Sequence, residues 1–233
     1  MSIEIRIVDN HVDREEIFTF RYSIYVRELN RQKAYVDHSH LRIKEPLDRT
    51  GVIFGAYDGN SLVGTVRYNW TDGDVGYYRD LYQMEIVGPY LNHGSTMTTR
   101  LMVSRDHRHG TVGMRLAIAA FESAYKAGSR FDFIDCYDDL KSFFEKMGYR
   151  QINKNHTHPD YGAAVPMLLV TADRRHLESV KSPFLQVVQR YPEETQSVDY
   201  FYQSVLPVGT ESKLVRPNLS RGEFHLSSDD LVA

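Results

Sequence analysis

The stretch from Arg100 to Lys126, RLMVSRDHRHGTVGMRLAIAAFESAYK, constrains this chain most, because an extended run passes through a basic loop straight into an amphipathic helix. Met102 and Val103 end the extended segment, Arg105 and Arg108 bring positive charge, and Gly110 and Gly113 flank the turn. Thr111 is placed to cap the helix that follows. The backbone N–H groups at such a helix start point outward without intrahelical partners, and the macrodipole adds about half a positive charge. A phosphate, pyrophosphate or phosphopantetheine group fits that chemistry, although arginines in a loop of this kind can equally be solvated.

The rest of the chain reads as alternating strands and helices. Asp13 and Glu16 have capping-box spacing, and Ile17, Phe20, Ile24 and Leu29 recur at helical intervals, which predicts a helix from residue 13 to about 30 with Arg21 and Tyr25 on one face. Residues 32–50 are polar and carry His38, His40, Glu45, Pro46 and Asp48, which suggests a long irregular lid loop over a site. VIFGAYD and LVGTVRYNW, separated by Gly59, Asn60 and Ser61, read as a hairpin that carries Arg67. A strand over about 97–104, a helix over 111–126 ending at Gly128, the strand RFDFIDCY, a helix over about 139–147 stopped by Gly148, a strand over 165–171 and a helix near 183–190 complete the prediction. Residues 1–210 are expected to form one domain, with 211–233 a flexible polar tail.

Composition narrows the class. A chain of 233 residues, 42% hydrophobic and 25% charged, can bury a sizeable core. Its 28 basic and 31 acidic residues give a net charge of -3, which argues against nucleic-acid binding. No apolar run approaches the ~20 residues that cross a bilayer, and the start lacks a signal-peptide layout, so stable membrane insertion is not expected and a cytoplasmic location is. The single cysteine, Cys136, excludes an internal disulfide and reads as a small buried hydrophobe.

Three motifs together resemble the GNAT superfamily of acyltransferases. Arg108, His109, Gly110, Thr111, Val112 and Gly113 match the superfamily's donor-phosphate loop except that Thr111 replaces the middle glycine. Phe143 to Tyr149 is similar to its C-terminal "Phe-Tyr-Glu-x-x-Gly-Phe" element, with Phe144 at the tyrosine that often protonates the departing thiolate. The order Arg21, Tyr25, Glu45, Asp48, Arg67, Arg100 resembles the acyl-homoserine-lactone synthases and long-chain N-acyl amino acid synthases. Met97 stands where the synthases carry a glutamate, and the only tryptophan is Trp70, which places the chain on the N-acyl amino acid synthase side.

The resemblance implies an α/β (α+β) fold with a mixed central sheet flanked by helices. It implies transfer of an acyl group from a carrier-protein or coenzyme A thioester to the amine of an amino acid or related small molecule by direct attack. An acetyl-coenzyme A-dependent N-acetyltransferase and a non-catalytic thioester-binding sensor are the alternatives. Acyl-coenzyme A or acyl-phosphopantetheine is then a donor substrate rather than a bound cofactor, and acyl carrier protein is a possible partner. Arg105, Arg108, His109, Gly110, Thr111, Val112 and Gly113 would bind the donor, and a backbone N–H near Val103 would hold the thioester oxygen. Glu45 and Asp48 are candidate bases.

Arg67 and Arg100 lie in apolar strands and need carboxylate partners, either Glu45 and Asp48 as lid supports or a substrate carboxylate as a clamp. Arg21 and Tyr25 admit the same two readings. His158, before Pro159 and a Val165-Pro166-Met167 strand, could accept the amine proton as a neutral imidazole. The pairs His38/His40, His107/His109 and His156/His158 lack the accompanying Cys or HExxH pattern of a zinc site, and no metal is expected.

Overall fold

The computed structural model describes residues 3–31, 34–159, 162–192 and 195–206. It begins with β1 (Ile3–Ile7) and α1 (His11–Tyr22), which runs on through a wider π-type turn over Ser23–Glu28. The helix therefore starts two residues before the predicted Asp13. Asn10 is the cap, its side-chain oxygen accepting from the Asp13 N–H at 2.9 Å, while the Asp13 carboxylate receives Arg6 and the Asn10 amide.

Within 34–50 the expected irregular loop is partly ordered as β2 (Val36–Asp37), β3 (Arg42–Ile43) and a short 3-10 turn at Pro46–Arg49. Residues 32 and 33 lie outside the described residues. The hairpin β4 (Val52–Asp58) and β5 (Ser61–Trp70) forms as predicted, with Gly59 at φ +58 in the turn. Residues 71–94, for which the sequence offered no assignment, hold α2 (Tyr78–Leu81) and a 3-10 segment at Met84–Tyr90.

β6 (Ser95–Val103), α3 (Val112–Lys126), β7 (Phe131–Cys136) and α4 (Lys141–Met147) follow the predicted pattern. Thr111 occupies the cap position of α3, but its side chain makes no cap hydrogen bond, which corrects the expectation for it. β8 (Arg150–Gln151), β9 (His156–His158) and β10 (Gly162–Val170) lead into α5 (Arg174–Ser179), α6 (Leu185–Arg190) and α7 (Gln196–Tyr200). The predicted helix near 183–190 is α6, whereas α5 and α7 were not anticipated. The tail predicted over 211–233 falls outside the described residues.

The strands build one mixed eight-stranded sheet in the order β1-β4-β5-β6-β7-β10-β8, with β9 also on β10. Every pairing is antiparallel except β6 with β7. On one face Leu116, Ala120 and Phe121 of α3 pack with Phe143 and Phe144 of α4 and with Phe184. On the other, Tyr82, Met84, Val87 and Phe201 cover Met97, Phe131 and Phe133. Alternation along β7 explains the division, since Phe131 and Phe133 point one way and Ile134 and Cys136 the other only where the strand's direction reverses every residue. Among the described residues no helix is long and apolar enough to cross a membrane.

Candidate active site

Six residues that lie far apart in sequence meet in one buried charge cluster. Arg21, on the inner face of α1, donates from Nη1 to both carboxylate oxygens of Asp48 at 2.8 Å. Arg67 Nη1 reaches Glu45 Oε2 at 2.8 Å and Asp48 Oδ1 at 2.7 Å, and its guanidinium also donates to Thr99 Oγ1. Arg100 pairs with Glu45 and donates to the Tyr25 hydroxyl at 3.2 Å. The Glu45 N–H closes the turn onto Asp48 Oδ2 at 2.7 Å. Of the two readings open for these arginines, the geometry is the carboxylate pairing with Glu45 and Asp48.

Electrostatics follow from that geometry. Burial alone would push the Glu45 carboxyl up, but Arg100 and Arg67 overcome it and hold it well below the usual carboxylate range. Asp48 is lowered in the same way, burial being outweighed by Arg21 and Arg67. Both carboxylates are thus ionised and already fully engaged as acceptors.

The second feature is where β6 leaves its neighbours. Its ladder to β5 runs Thr65 to Met102 and then Arg67 to Thr99, so Arg100 and Leu101 share the single position opposite Val66. This bulge puts Arg100 at φ +59, a left-handed conformation that costs a non-glycine residue on the order of 1–3 kcal/mol. On its other side β6 pairs with β7 only from Ser95/Phe131 to Met97/Phe133, and beyond that the two strands diverge. The Ser104 N–H bonds Val63 O at 2.8 Å, which makes Gly64/Val103 the non-hydrogen-bonded pair of the ladder. The Val103 N–H therefore faces away from β5, toward the side that β7 has vacated.

Two narrow cavities flank this opening. One lies between the diverging strands, lined by Tyr78, Thr99, Arg100, Ile134 and Asp135. The other lies against α3 and α4, lined by Leu101, Ala117, Ala120, Phe121 and Tyr149 with Asp132. Thr98, Leu101 and Phe144 border both. Each has about 20 Å³ of free volume, room for a water molecule, so a longer guest requires side chains to move.

At the mouth stands the loop before α3. Arg105, His109, Gly110 and Thr111 are exposed, while Val112 and Gly113 are buried as the first residues of a 15-residue helix whose leading N–H groups lack intrahelical partners. Arg108 departs from expectation. Its guanidinium turns inward, Nε donating to Val103 O at 2.9 Å and Nη1 pairing with Glu28, and the residue is 1% exposed. It ties the strand end and the first helix to the loop.

His158 is buried against two residues that line the first cavity, its Nε2 3.9 Å from Asp135 Oδ2 and its ring against Tyr78, with Tyr77 on it as well. The other histidine pairs are divided among local partners. His38 contacts Tyr22, His40 contacts Asp37, and His107 contacts Ser104. Two acidic residues went unnoticed in the sequence. Asp132 and Asp135, both on β7 with its apolar neighbours, line one cavity each, and a carboxylate in an otherwise apolar strand was the available signal. The bulge at Arg100 left no sequence signal, because no glycine marks it.

Comparison with known proteins places this arrangement. Among solved structures, FeeM, an N-acyl amino acid synthase from uncultured soil microbes, aligns over 79% of this chain and 97% of its own at 15% identity with a TM-score of 0.60. The CoA-dependent acyl-homoserine lactone synthase MesI aligns over 82% and 96% at 19% identity and 0.60. TofI, in a ternary complex with an inhibitor and MTA, aligns over 80% and 100% at 14% identity and 0.61. These likenesses establish the GNAT-like fold. No curated protein matches the chain by sequence. The family "N-acyl amino acid synthase FeeM" matches residues 16–173, a span that holds the charge cluster, the bulge, the loop before α3 and His158, and the chain belongs to this family of acyltransferases, which move an acyl group onto an amine.

Proposed function

We propose that the protein joins a medium or long acyl group, carried as a coenzyme A or carrier-protein thioester, to the amine of an amino acid or related small molecule. The observation that carries this reading is the divergence of β6 from β7 beyond Met97, with the Val103 N–H turned into the gap and the start of α3 at its mouth. A pantetheine arm laid in the gap would act as the missing strand. Its thioester oxygen would receive the Val103 N–H as negative charge develops on it, and its phosphates would meet the free N–H groups of α3 with Arg105 and His109 beside them. The apolar cavity between the sheet and α3, bordered by Leu101 and Phe121, takes the acyl chain once side chains shift.

In this reading Arg21, Arg67 and Arg100 with Glu45, Asp48 and Tyr25 form the buried frame that fixes the bulge and the segment over the site. A carboxylate held ionised by two guanidinium groups is a poor proton acceptor. Arg105 and the exposed His109 beside it also suit either the phosphates of coenzyme A or an acidic carrier protein.

The test is incubation of the purified protein with coenzyme A and carrier-protein thioesters of graded chain length and the common amino acids, reading thiol release and product mass together. A long-chain N-acyl amino acid is the expected product. Acetyl transfer alone, or thioester binding without thiol release, would overturn the reading. Arg105→Glu with His109→Glu should weaken donor use, and loss confined to the carrier-protein thioester would identify that protein as the donor.

A further inference from the structure

Resting on the acyltransfer reading, we infer that Asp135 is the residue that takes the proton from the attacking amine, with His156 as its route to solvent. Glu45 and Asp48, the acidic residues the sequence favoured, are locked between arginines, and Met97 offers no proton acceptor at the position where the synthases carry a glutamate. A base is still required, because an aliphatic amine is protonated at neutral pH and attacks only as the free amine.

Asp135 has the placement for the task. It sits on β7 just past the point where that strand parts from β6, and it lines the cavity between them with Thr99 and Arg100. One carboxylate oxygen, Oδ1, accepts the Tyr82 hydroxyl at 2.7 Å. The other, Oδ2, has two imidazoles converging on it, His156 Nε2 at 3.4 Å and His158 Nε2 at 3.9 Å. The two histidines differ in access. The His158 side chain is 0% exposed, whereas that of His156 is 18% exposed and can exchange protons with water. Other titratable groups near Asp135 among the described residues include Tyr78 and Arg100 in the same cavity, and Cys136 and Tyr137, the neighbours in sequence that feel its charge.

The step balances without further reactants. An amino acid entering as its ammonium form gives one proton to Asp135 Oδ2, which passes it through His156 to water. The free amine then forms the C–N bond as the C–S bond breaks. The second nitrogen-bound proton lost on forming the amide leaves with the thiolate as thiol, so ammonium and thioester yield amide, thiol and one solvent proton. His158 is a positioning residue here, packed on Tyr77 and Tyr78 so that the carboxylate keeps its aim.

The experiment is steady-state kinetics of thiol release from lauroyl-coenzyme A with the amino acid the wild type accepts, comparing Asp135→Asn, His156→Gln and the exposed control Asp138→Asn. Asp135→Asn should lower kcat on the order of 10²–10⁴-fold at neutral pH with KM for lauroyl-coenzyme A within about twofold. The deficit should shrink as pH rises, because the amine then deprotonates by itself. His156→Gln should lower kcat about tenfold and move the acid limb of the pH profile, with Asp138→Asn unchanged. An unchanged kcat in Asp135→Asn, or a deficit that is the same at every pH, overturns the assignment while leaving acyltransfer intact. If Asp135→Asn does not fold, an unaltered rate and acid limb in His156→Gln overturns it instead. Absence of thiol release from the wild type overturns acyltransfer and this assignment together.

Discussion

Arg67 shows what a single buried side chain can decide. Its guanidinium is fully enclosed, yet every direction it faces holds an acceptor: Glu45, Asp48 and the Thr99 hydroxyl. Removing it leaves Glu45 with Arg100 and Asp48 with Arg21 but strips a guanidinium's hydrogen bonds from all three acceptors, which costs on the order of 2–3 kcal/mol. Arg67→Met should therefore lower unfolding stability by that amount in urea titrations, and a loss below about 1 kcal/mol would show that the cluster is not what fixes the lid. The sequence supplied all six members of this cluster by resemblance and left open which of two partners the arginines would choose. Pairing was decided by the approach of residues 45–49 to β5 and β6, which joins Glu45 to Arg67, 22 positions away, and to Arg100, 55 positions away. Arg108 teaches the converse lesson. Its place in a phosphate-loop pattern said nothing of its direction, and proximity to Glu28 turned it inward.

At the scale of elements, the helix ends carry most of the local information, and they can be tested singly. Asn10→Ala removes the cap of α1 and should cost about 1 kcal/mol, visible as a lower melting temperature. Gly148 ends α4 at φ +111, where both its own N–H and that of Tyr149 bond to Phe144 O. A Cβ there would also lie 2.5 Å from Leu177 Cδ2. Gly148→Ala combines a disfavoured backbone with a clash and should cost about 1–3 kcal/mol by the same measurement. Gly148 and the periodic helices were legible because caps and amphipathic faces are local. The wide turn over Ser23–Glu28, which carries Tyr25 toward Arg100, was not, since it answers to a partner on another strand. Residues 71–94 were illegible for the same reason, their shape being set by the sheet face they cover.

Over the whole molecule, two sets of buried carboxyls give stability opposite pH dependences. Glu45 and Asp48 are held below their ordinary values, so the stability they add is present above the unfolded carboxylate range and lost as pH falls through their folded values. Asp132 is the reverse. Burial pushes its carboxyl up to about 6 from an ordinary 3.8, against hydrogen bonds from Thr96, Tyr149 and Thr98. The folded state then holds this proton more tightly than the unfolded chain, so stability falls as pH rises from about 4 to about 6 and levels off above. The size is on the order of 3 kcal/mol, from about two pH units at 1.36 kcal/mol each. Asp132→Asn should remove that slope in urea titrations across the same range, and a slope identical to the wild type would assign it elsewhere.

The sequence by itself determined the strand-loop-helix junction at 100–126, the β4–β5 hairpin and the helix stop at Gly148, because hydrophobic period and turn residues are read within a few neighbours, and its motifs implied the acyltransferase fold through their resemblance to a known superfamily. Only the tertiary structure decided the bulge at Arg100, the divergence of β6 from β7, the inward turn of Arg108 and the meeting of Asp135 with His156 and His158. Each of these depends on segments brought together across long separations, most of them paired strands. Register between such strands is fixed by the packing of both sheet faces at once, a condition no local stretch of the chain contains.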